Sequence, residues 1–489
     1  MKAGRVRTWI LLILGPLLVG AVVLLLPVLP RLDMVRQKVS PTEDSVLVRA
    51  GERYAAGPVQ RIFLGRHWRD LWTQPVRIEV LKLREFAGGL LPLREGGGLE
   101  TRSLHFISRS GRRFIFRSTD KELVRLIHYG LGRSLLSRLV QDQTSASHPA
   151  SPLVAAPLQA AVGLPFPHPR LVVLPPDPGL GVYQERFAGL LGTLQEGPAE
   201  MIAVPAGGGL PDVEDTDEVL PRLDSLAIHQ VDACGFLTAR LLDLWLNDWD
   251  RHARQWRWVA VPQSWGTLWR PIPVDRDQAF ARYDGLLLAL ARLRTTKLSV
   301  FGPHYPHLQG LTRNSGWLDR RLLAGLSRAT WDSVTGFLVS RLSDSVIDAA
   351  VRQMPDAYWQ LSGPPIASAL KQRREGLRPI ANDFYAELAR RPEVHLAAAG
   401  TLARLTYLPD GSVELVLGPD TEGIEPTSWL VRRFLPGETE RIDLHAHGAI
   451  PRIIVSGSQP GEPRIEVRLF DAAGNELPLP RPGPAYVSK

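Results

Sequence analysis

Apolar and polar residues alternate with a period of two through residues 76–117, in "RIEVLKL", "TRSLHFIS" and "RRFIFRS". That period predicts half-buried strands. Gly96, Gly97 and Gly98 sit between two of these segments, and "SRSGRR" supplies the next turn. The period then lengthens. "STDKELVRLIHYGLGRSLLSRLV" repeats its apolar positions at helical spacing, and Thr119 with Glu122 has the spacing of a capping box. That spacing assigns Glu122 to a helix start and not to an active site. A Pro-rich stretch, residues 152–183, mixes a short helix with extended segments. "AEMIAVPAGGGLPDVEDTDEVL" predicts a strand running into a loop, a natural hinge. From about residue 216 to residue 391 the spacing is mostly helical, in "GFLTARLLDLWL", "RRLLAGL", "VTGFLVSRLSDSVIDAAVRQM" and "IASALKQRREGLRPIANDFYAELARR". Beyond Pro392 short alternating segments return: "LARLTYLPDGSVELVL" around an Asp-Gly turn, then "RIIVSG" and "RIEVRLF".

The N-terminal end has a different texture. "WILLILGPLLVGAVVLLLPVL", residues 9–29, is apolar over the length of a membrane-crossing helix and follows Lys2, Arg5 and Arg7. Basic residues ahead of a span stay in the cytoplasm, which predicts that the remainder faces outward. A cleaved signal peptide starts the same way and is the alternative, but "PVLPRLDM" offers no small-x-small cleavage site. The patterning divides the chain into a membrane anchor over residues 1–30 and a polar linker over 31–58. A β-rich part over 59–205, a helical part over 206–391, and a β module with a loose tail over 392–489 follow.

Composition narrows the function classes. At 489 residues the chain is long enough for two or three domains. A net charge of +8 and a pI near 9.8 favour acidic partners such as phosphates, nucleotides or anionic lipids. The arginines are scattered and form no basic block, which argues against nucleic acid. The single Cys234 excludes an intrachain disulfide and Cys-His zinc spacing. No nucleophile elbow is present for a Ser-His-Asp hydrolase. His304 and His307 in "FGPHYPHL" read as loop residues and not metal ligands.

The chemistry concentrates in "LNDWDRHARQWRW", residues 246–258, where Asp250, Arg251 and His252 enter the most tryptophan-dense part of the chain. "ACGFLTARLLDLWL" predicts a buried helix ending at Asn247 and Asp248, and "DWDRHARQ" a loop. "WRWVAV" and "LWRPIPV" predict a hairpin turning at "PQSWG", with "DRDQAF" directly after it. Trp245, Trp249, Trp256, Trp258, Trp265 and Trp269 are expected mostly in the core. The helix would hold the loop, and the hairpin would return the chain so that Asp275 meets Asp250. Phosphoryl transfer asks for such a set: one carboxylate to orient the acceptor hydroxyl and a second acid to hold magnesium, helped by an amide or acid. Asp250 suits the first role, Asp275 with Asp277 the second, and Gln255 stands five positions beyond Asp250 as the helper. Plainer readings stay open. Asp250, Arg251 and His252 also fit a capping and ion-pair cluster, and Asp275 with Asp277 a surface turn. Gly96 to Gly98 fit a hairpin turn as well as a phosphate cradle.

"DRH" with a Gln five positions after the Asp, then "PVDRDQAF", resembles the paired catalytic and metal-binding motifs of phosphatidylinositol kinases. It is closer to those of secretory-pathway casein kinases and spore-coat CotH kinases. "GGGLETRSL", "FIFRSTDK" and "QDQTSASHP" also resemble a bacterial group in which a kinase-like region accompanies outer-membrane surface-antigen proteins. The resemblance covers roughly residues 63–391 and is sharpest over 242–283. It implies an α+β chain with a bilobal protein-kinase-like domain, a β-rich N-lobe over a helical C-lobe. An N-terminal transmembrane helix and a small C-terminal β domain would flank it. It further implies a nucleoside triphosphate, ATP by expectation, with Mg2+. Arg117, Gly96, Gly97, Gly98, Asp142 and His252 would lie around the nucleotide, and Gln255, Asp275 and Asp277 around the metal. Three departures stand out: Arg117 replaces the strand lysine of kinases, Gln255 is a neutral ligand, and no ideal helix acid stands out to pair Arg117. Asp142 in "VQDQT" is the candidate partner for Arg117.

The expected function is Mg-dependent phosphoryl or nucleotidyl transfer outside the cytoplasm by a single-pass inner-membrane protein. The alternative is a pseudokinase-type binding or assembly module of the bacterial cell envelope with an envelope protein as partner.

Overall fold

The computed structural model describes residue 30 and residues 32–97, 100–123, 135–202, 210–420, 429–448, 451–457 and 464–481. Its first large element is a seven-stranded sheet in the order Ser45–Val48, Val76–Val80, Arg170–Val173, Leu191–Glu196, Arg113–Ser118, Arg102–Ser108, Leu90–Gly97. Only Val76–Val80 and Arg170–Val173 run parallel; the other neighbours are antiparallel. The period-two pattern explains the two covered faces. Leu104, Phe106, Phe116 and Val172 turn into one apolar cluster, while Val76, Ile78, Val173 and Leu191 join the main core on the other side.

Three expectations in this region need correction. Part of the expected linker is fold, not tether: Ser45–Val48 is an edge strand paired with Val76–Val80, and Tyr54 is buried in the core. The first glycines of the triplet are strand residues, Gly96 opposite Ser103 and Gly97 opposite Arg102; Gly98 lies outside the described residues. Thr119 and Glu122 form no capping box, since the Thr119 N–H donates to the Leu191 carbonyl at 3.0 Å. The Glu122 carboxylate pairs with Arg102, and its N–H donates to the Glu100 carbonyl at 2.7 Å. The next described helix is Leu135–Asp142.

The helical half is organised around Ala233–Leu246, whose residues from Phe236 to Leu246 are all buried. A helix with apolar residues on every face belongs inside a core, and the two charged residues it takes with it, Arg240 and Asp243, are paired there. Burying each large side chain such as Leu237, Leu241 or Trp245 contributes about 1.5–3 kcal/mol. Asp232 caps its start by accepting from the Gly235 N–H at 2.8 Å. Asn247 ends it in the left-handed region at φ 60°, a conformation Asn tolerates better than most residues. Helices Arg328–Arg341, Asp356–Glu375 and Leu377–Ala389 contribute to the same core.

The loop after the helix Ala233–Leu246 leads into a second sheet. Its order is Val213–Asp215, Trp256–Gln263, Gly266–Pro273, His229–Val231, and its centre is the hairpin from Trp256 to Pro273. Trp245, Trp256, Trp258 and Trp269 are buried as expected of core residues, whereas Trp265 at the hairpin tip is exposed. Beyond Pro392 two four-stranded sheets share one apolar core containing Leu396, Leu405, Leu415 and Leu444, a β-sandwich. No helix among the described residues is long and apolar enough to cross a membrane; the apolar run at 9–29 lies outside them.

Candidate active site

Burial dictates the chemistry beneath the loop. The helix Ala233–Leu246 carries Arg240 and Asp243 into a dry interior, where unpaired charges are costly. They meet Asp248, Arg251, Arg276 and Asp319, so three acids face three arginines. Arg240 donates to Asp319 Oδ1 at 2.7 Å and to Asp243 Oδ2 at 2.6 Å. Arg276 pairs with Asp243 and, at 3.2 Å, with Asp248. Burial, opposed by Arg251 and Arg276, pushes the Asp248 carboxyl up to about 6.

Arg251, the middle residue of the "DRH" triplet, fastens this layer to the one above. It donates to the carbonyls of Val274 at 2.8 Å, Asp275 at 3.3 Å and Gln255 at 3.0 Å. Those bonds bring the loop and the end of the hairpin together, and Asp275 takes φ 62° there. A non-glycine residue in that region costs energy that the surrounding bonds must offset. The order read from the chain, buried helix, loop, hairpin and acid, is the order found.

A cleft opens where this hairpin end faces the seven-stranded sheet, with Arg117, Lys121, Asp275 and Asp277 on its walls. Arg117 stands on the strand Arg113–Ser118, and its Nη1 donates to Asp275 Oδ2 at 2.6 Å. Lys121, beyond the end of that strand, places Nζ 2.6 Å from Asp277 Oδ2 and 3.4 Å from Glu100 Oε2. Although burial opposes it, Arg117, Lys121 and Arg251 together hold the Asp275 carboxyl below its ordinary range. Asp277 goes the other way. Burial, aided by the neighbouring Asp275 charge and opposed by Lys121, pushes its carboxyl up to about 7. Gln255 is buried with its amide 3.5 Å from Asp275 Oδ2. With its nitrogen turned to the carbonyls of Val274 at 3.0 Å and Asp275 at 3.3 Å, it presents its oxygen to that carboxylate.

Gln255 stands behind Asp275 and is not itself on the wall, and the other candidates lie apart from it too. Asp142 is not the partner of Arg117: its two oxygens accept from Arg69 at 2.8 and 2.6 Å, and both side chains are fully buried. It is a core ion pair. Gly96 and Gly97 are in the hairpin strand and do not line the cleft. Asp250 is half-buried beside the cleft-forming loop, its Oδ1 accepting from Asn314 Nδ2 at 2.8 Å. Neither Asp250 nor His252 is on the cleft wall. His252 precedes the short helical turn Ala253–Gln255, whose last N–H donates to the His252 carbonyl at 2.9 Å. Lys121, Asp243, Arg276 and Asn314 were not singled out from the sequence. Lys121 in "STDK" was read into a helix start, although a basic residue four places beyond Arg117, just past a strand end, can reach the same space.

No protein-family model matches the chain, and no curated protein matches it. Among solved structures, the chain is similar to the Helicobacter pylori proinflammatory kinase CtkA at 11% identity and a TM-score of 0.34, over 60% of this chain and 95% of that one. It is also similar to a chain of the Shewanella oneidensis MR-1 toxin–antitoxin complex of HipA, HipB and operator DNA, at 10% identity and a TM-score of 0.31, over 71% of this chain and 75% of that one. Likeness of this extent assigns neither a fold nor an activity; the cleft's own geometry carries the functional conclusion.

Proposed function

We propose that the chain is a kinase-like phosphotransferase that binds a nucleoside triphosphate, ATP by expectation, in the cleft between the seven-stranded sheet and the hairpin. In this reading residues 9–29 tether it to the inner membrane with the body outside the cytoplasm. One observation carries the catalytic part: two cations, Arg117 on the sheet and Lys121 just beyond its strand end, face two acids from the hairpin end, Asp275 and Asp277, across one cleft. Polyphosphate needs the first pair and its counter-cation the second.

The donor set suits Mg2+. Asp275, Asp277 and Gln255 offer only hard oxygen ligands, and burial, aided by the Asp275 charge, pushes the Asp277 carboxyl up, which a bound cation would relieve. A bound magnesium ion would neutralise charge on the phosphate oxygens. The protein's own groups do the rest. Arg117 and Lys121 exchange their acids for phosphate oxygens, and Arg251 keeps Asp275 in place. Asp250 orients the acceptor hydroxyl and takes its proton as the new oxygen–phosphorus bond forms and the nucleoside diphosphate leaves; Asn314 fixes the rotamer of Asp250.

The test is thermal melting of the purified protein with and without magnesium-ATP, followed by transfer of labelled γ-phosphate to a generic acceptor. A magnesium-dependent stabilisation together with transfer supports the reading; stabilisation by neither ATP nor any other nucleoside triphosphate sinks it. One observation favours a non-catalytic binding or assembly module of the cell envelope instead. Both metal-site acids are engaged by cations, Asp275 by Arg117 and Asp277 by Lys121. That module would show no transfer whether or not nucleotide binds.

A further inference from the structure

Off the cleft walls, three side chains from separate parts of the chain converge where the helical body meets the C-terminal sandwich. Asp224 lies near the end of the helix Thr216–Ser225, His395 in the strand Glu393–Leu396, and His447 just after the strand Arg441–Ala446. The two strands are parallel neighbours, which brings the histidines alongside. His395 Nδ1 is 2.8 Å from His447 Nε2, and His447 Nε2 is 3.1 Å from Asp224 Oδ1. We propose that Asp224, His395 and His447 bind a divalent transition-metal ion, zinc by its donor set, which clamps the C-terminal sandwich to the helical body.

Proton bookkeeping supports an ion. His447 Nε2 lies between an imidazole nitrogen and a carboxylate oxygen, and it carries at most one proton. If that proton is directed at Asp224, no lone pair remains for His395 Nδ1. If Nε2 instead accepts from His395, its lone pair faces the Asp224 oxygen with no proton between them. Every tautomer leaves one short contact without a linear hydrogen bond. A cation accepting all three lone pairs removes the conflict, and the three ligand atoms already lie within 4.8 Å of one another. The other ring nitrogen of His395, Nε2, is buried without a hydrogen-bond partner among the described residues, so only the contact with His447 bears on its tautomer.

The donor set selects the metal class. Two imidazoles and one carboxylate, with a coordination position left over, suit zinc better than magnesium or calcium, which prefer all-oxygen shells. Arg321 pairs with the same Asp224 oxygen and would orient that carboxylate from outside. The position gives the ion its role. Backbone bonds already join the two bodies here, Ala398 N–H to the Asp224 carbonyl at 2.7 Å and Ala399 N–H to the Ser225 carbonyl at 3.1 Å. An ion held by Asp224 on one side and two histidines on the other would lock that joint.

The experiment uses full-length, tag-free protein, stripped with a chelator and titrated with zinc against a competing zinc dye. One zinc per chain is expected, with a rise in melting temperature that magnesium does not reproduce. His447→Ala and Asp224→Asn should each weaken binding by about tenfold or more. Cobalt-loaded wild type should show the visible absorption of a four-coordinate nitrogen–oxygen site, and His447→Ala should not. Circular dichroism in chelator checks that the variants fold, and the wild-type cobalt spectrum decides alone if they do not. Less than one equivalent of zinc, an affinity unchanged in both folded variants, or a six-coordinate cobalt spectrum would overturn the proposal.

Discussion

Arg117 reaches across the cleft and donates to Asp275 at 2.6 Å, so one ion pair joins the seven-stranded sheet to the hairpin end. Both side chains keep about a quarter of their surface, 27% and 23%, open to water. Such a pair contributes no more than about 1 kcal/mol to stability. Its value lies in where it places a guanidinium.

Arg117→Ala should therefore leave the melting temperature of the free protein nearly unchanged and remove most of the stabilisation by magnesium-ATP. Arg117→Lys should restore part of it, since a lysine keeps the charge but loses the planar fork. Thermal melts of the three proteins with and without nucleotide check this. Equal nucleotide shifts in all three would take Arg117 out of the phosphate site.

Asp142 should behave in the opposite way. Its pair with Arg69 is fully buried, and removing one partner strands a charged guanidinium in the interior. Asp142→Asn should cost about 3–5 kcal/mol in denaturant unfolding. If enough stability remains, the magnesium-ATP shift should persist, because Asp142 is not on the cleft wall. A variant of unchanged stability that fails to bind nucleotide would return Asp142 to the site.

The pH dependence follows from Asp277. Its carboxyl, pushed up to about 7, binds a proton more tightly in the folded protein than in the unfolded chain. The stability it contributes is full below about pH 4 and is lost as pH rises through about 7. Asp248, pushed up to about 6, adds a slope of the same sign at lower pH. Melting curves between pH 5 and 8 should thus fall less steeply for Asp277→Asn than for wild type, with a residue of slope below pH 6 from Asp248. A magnesium ion on Asp277 must displace the proton, so nucleotide-dependent stabilisation of the wild type should grow from pH 6 to pH 8. Parallel curves for both proteins would show that Asp277 does not titrate in this range.

The local order around the cleft was legible because it rests on short-range patterns. The mostly apolar "GFLTARLLDLWL" announces a buried helix, the spacing of "WRWVAV" and "LWRPIPV" a hairpin, and "DRD" the acids at its end. Pairings over long sequence distances were not legible. Arg69 with Asp142, Lys121 with Asp277 and Asn314 with Asp250 each depend on tertiary packing, and no local period signals them. The strand Ser45–Val48 was hidden for a related reason. Four residues between turn formers carry too little alternation to distinguish an edge strand from a tether, and only its pairing with Val76–Val80 settles the matter. The histidines of the sandwich junction were invisible too, because Asp224 is more than 170 positions from His395 in sequence.

Asp250→Asn separates catalysis from binding. The carboxylate is half-buried, accepts from Asn314 and does not line the cleft, so the near-isosteric amide should leave both stability and the magnesium-ATP shift close to those of wild type. If Asp250 takes the acceptor's proton, transfer should fall by about 100- to 10,000-fold, with kcat carrying the loss and the KM for nucleotide nearly unchanged. Asp275→Asn should differ, losing the nucleotide shift as well as transfer, because it removes a charge from the metal-binding set. A non-catalytic module predicts no transfer in any version and equal nucleotide shifts for wild type and Asp250→Asn. The deciding measurement is γ-phosphate transfer by wild type, Asp250→Asn and Asp275→Asn at matched nucleotide occupancy. Retained transfer by Asp250→Asn would remove Asp250 from the reaction, and a loss of nucleotide binding in that variant would make it a structural residue of the loop.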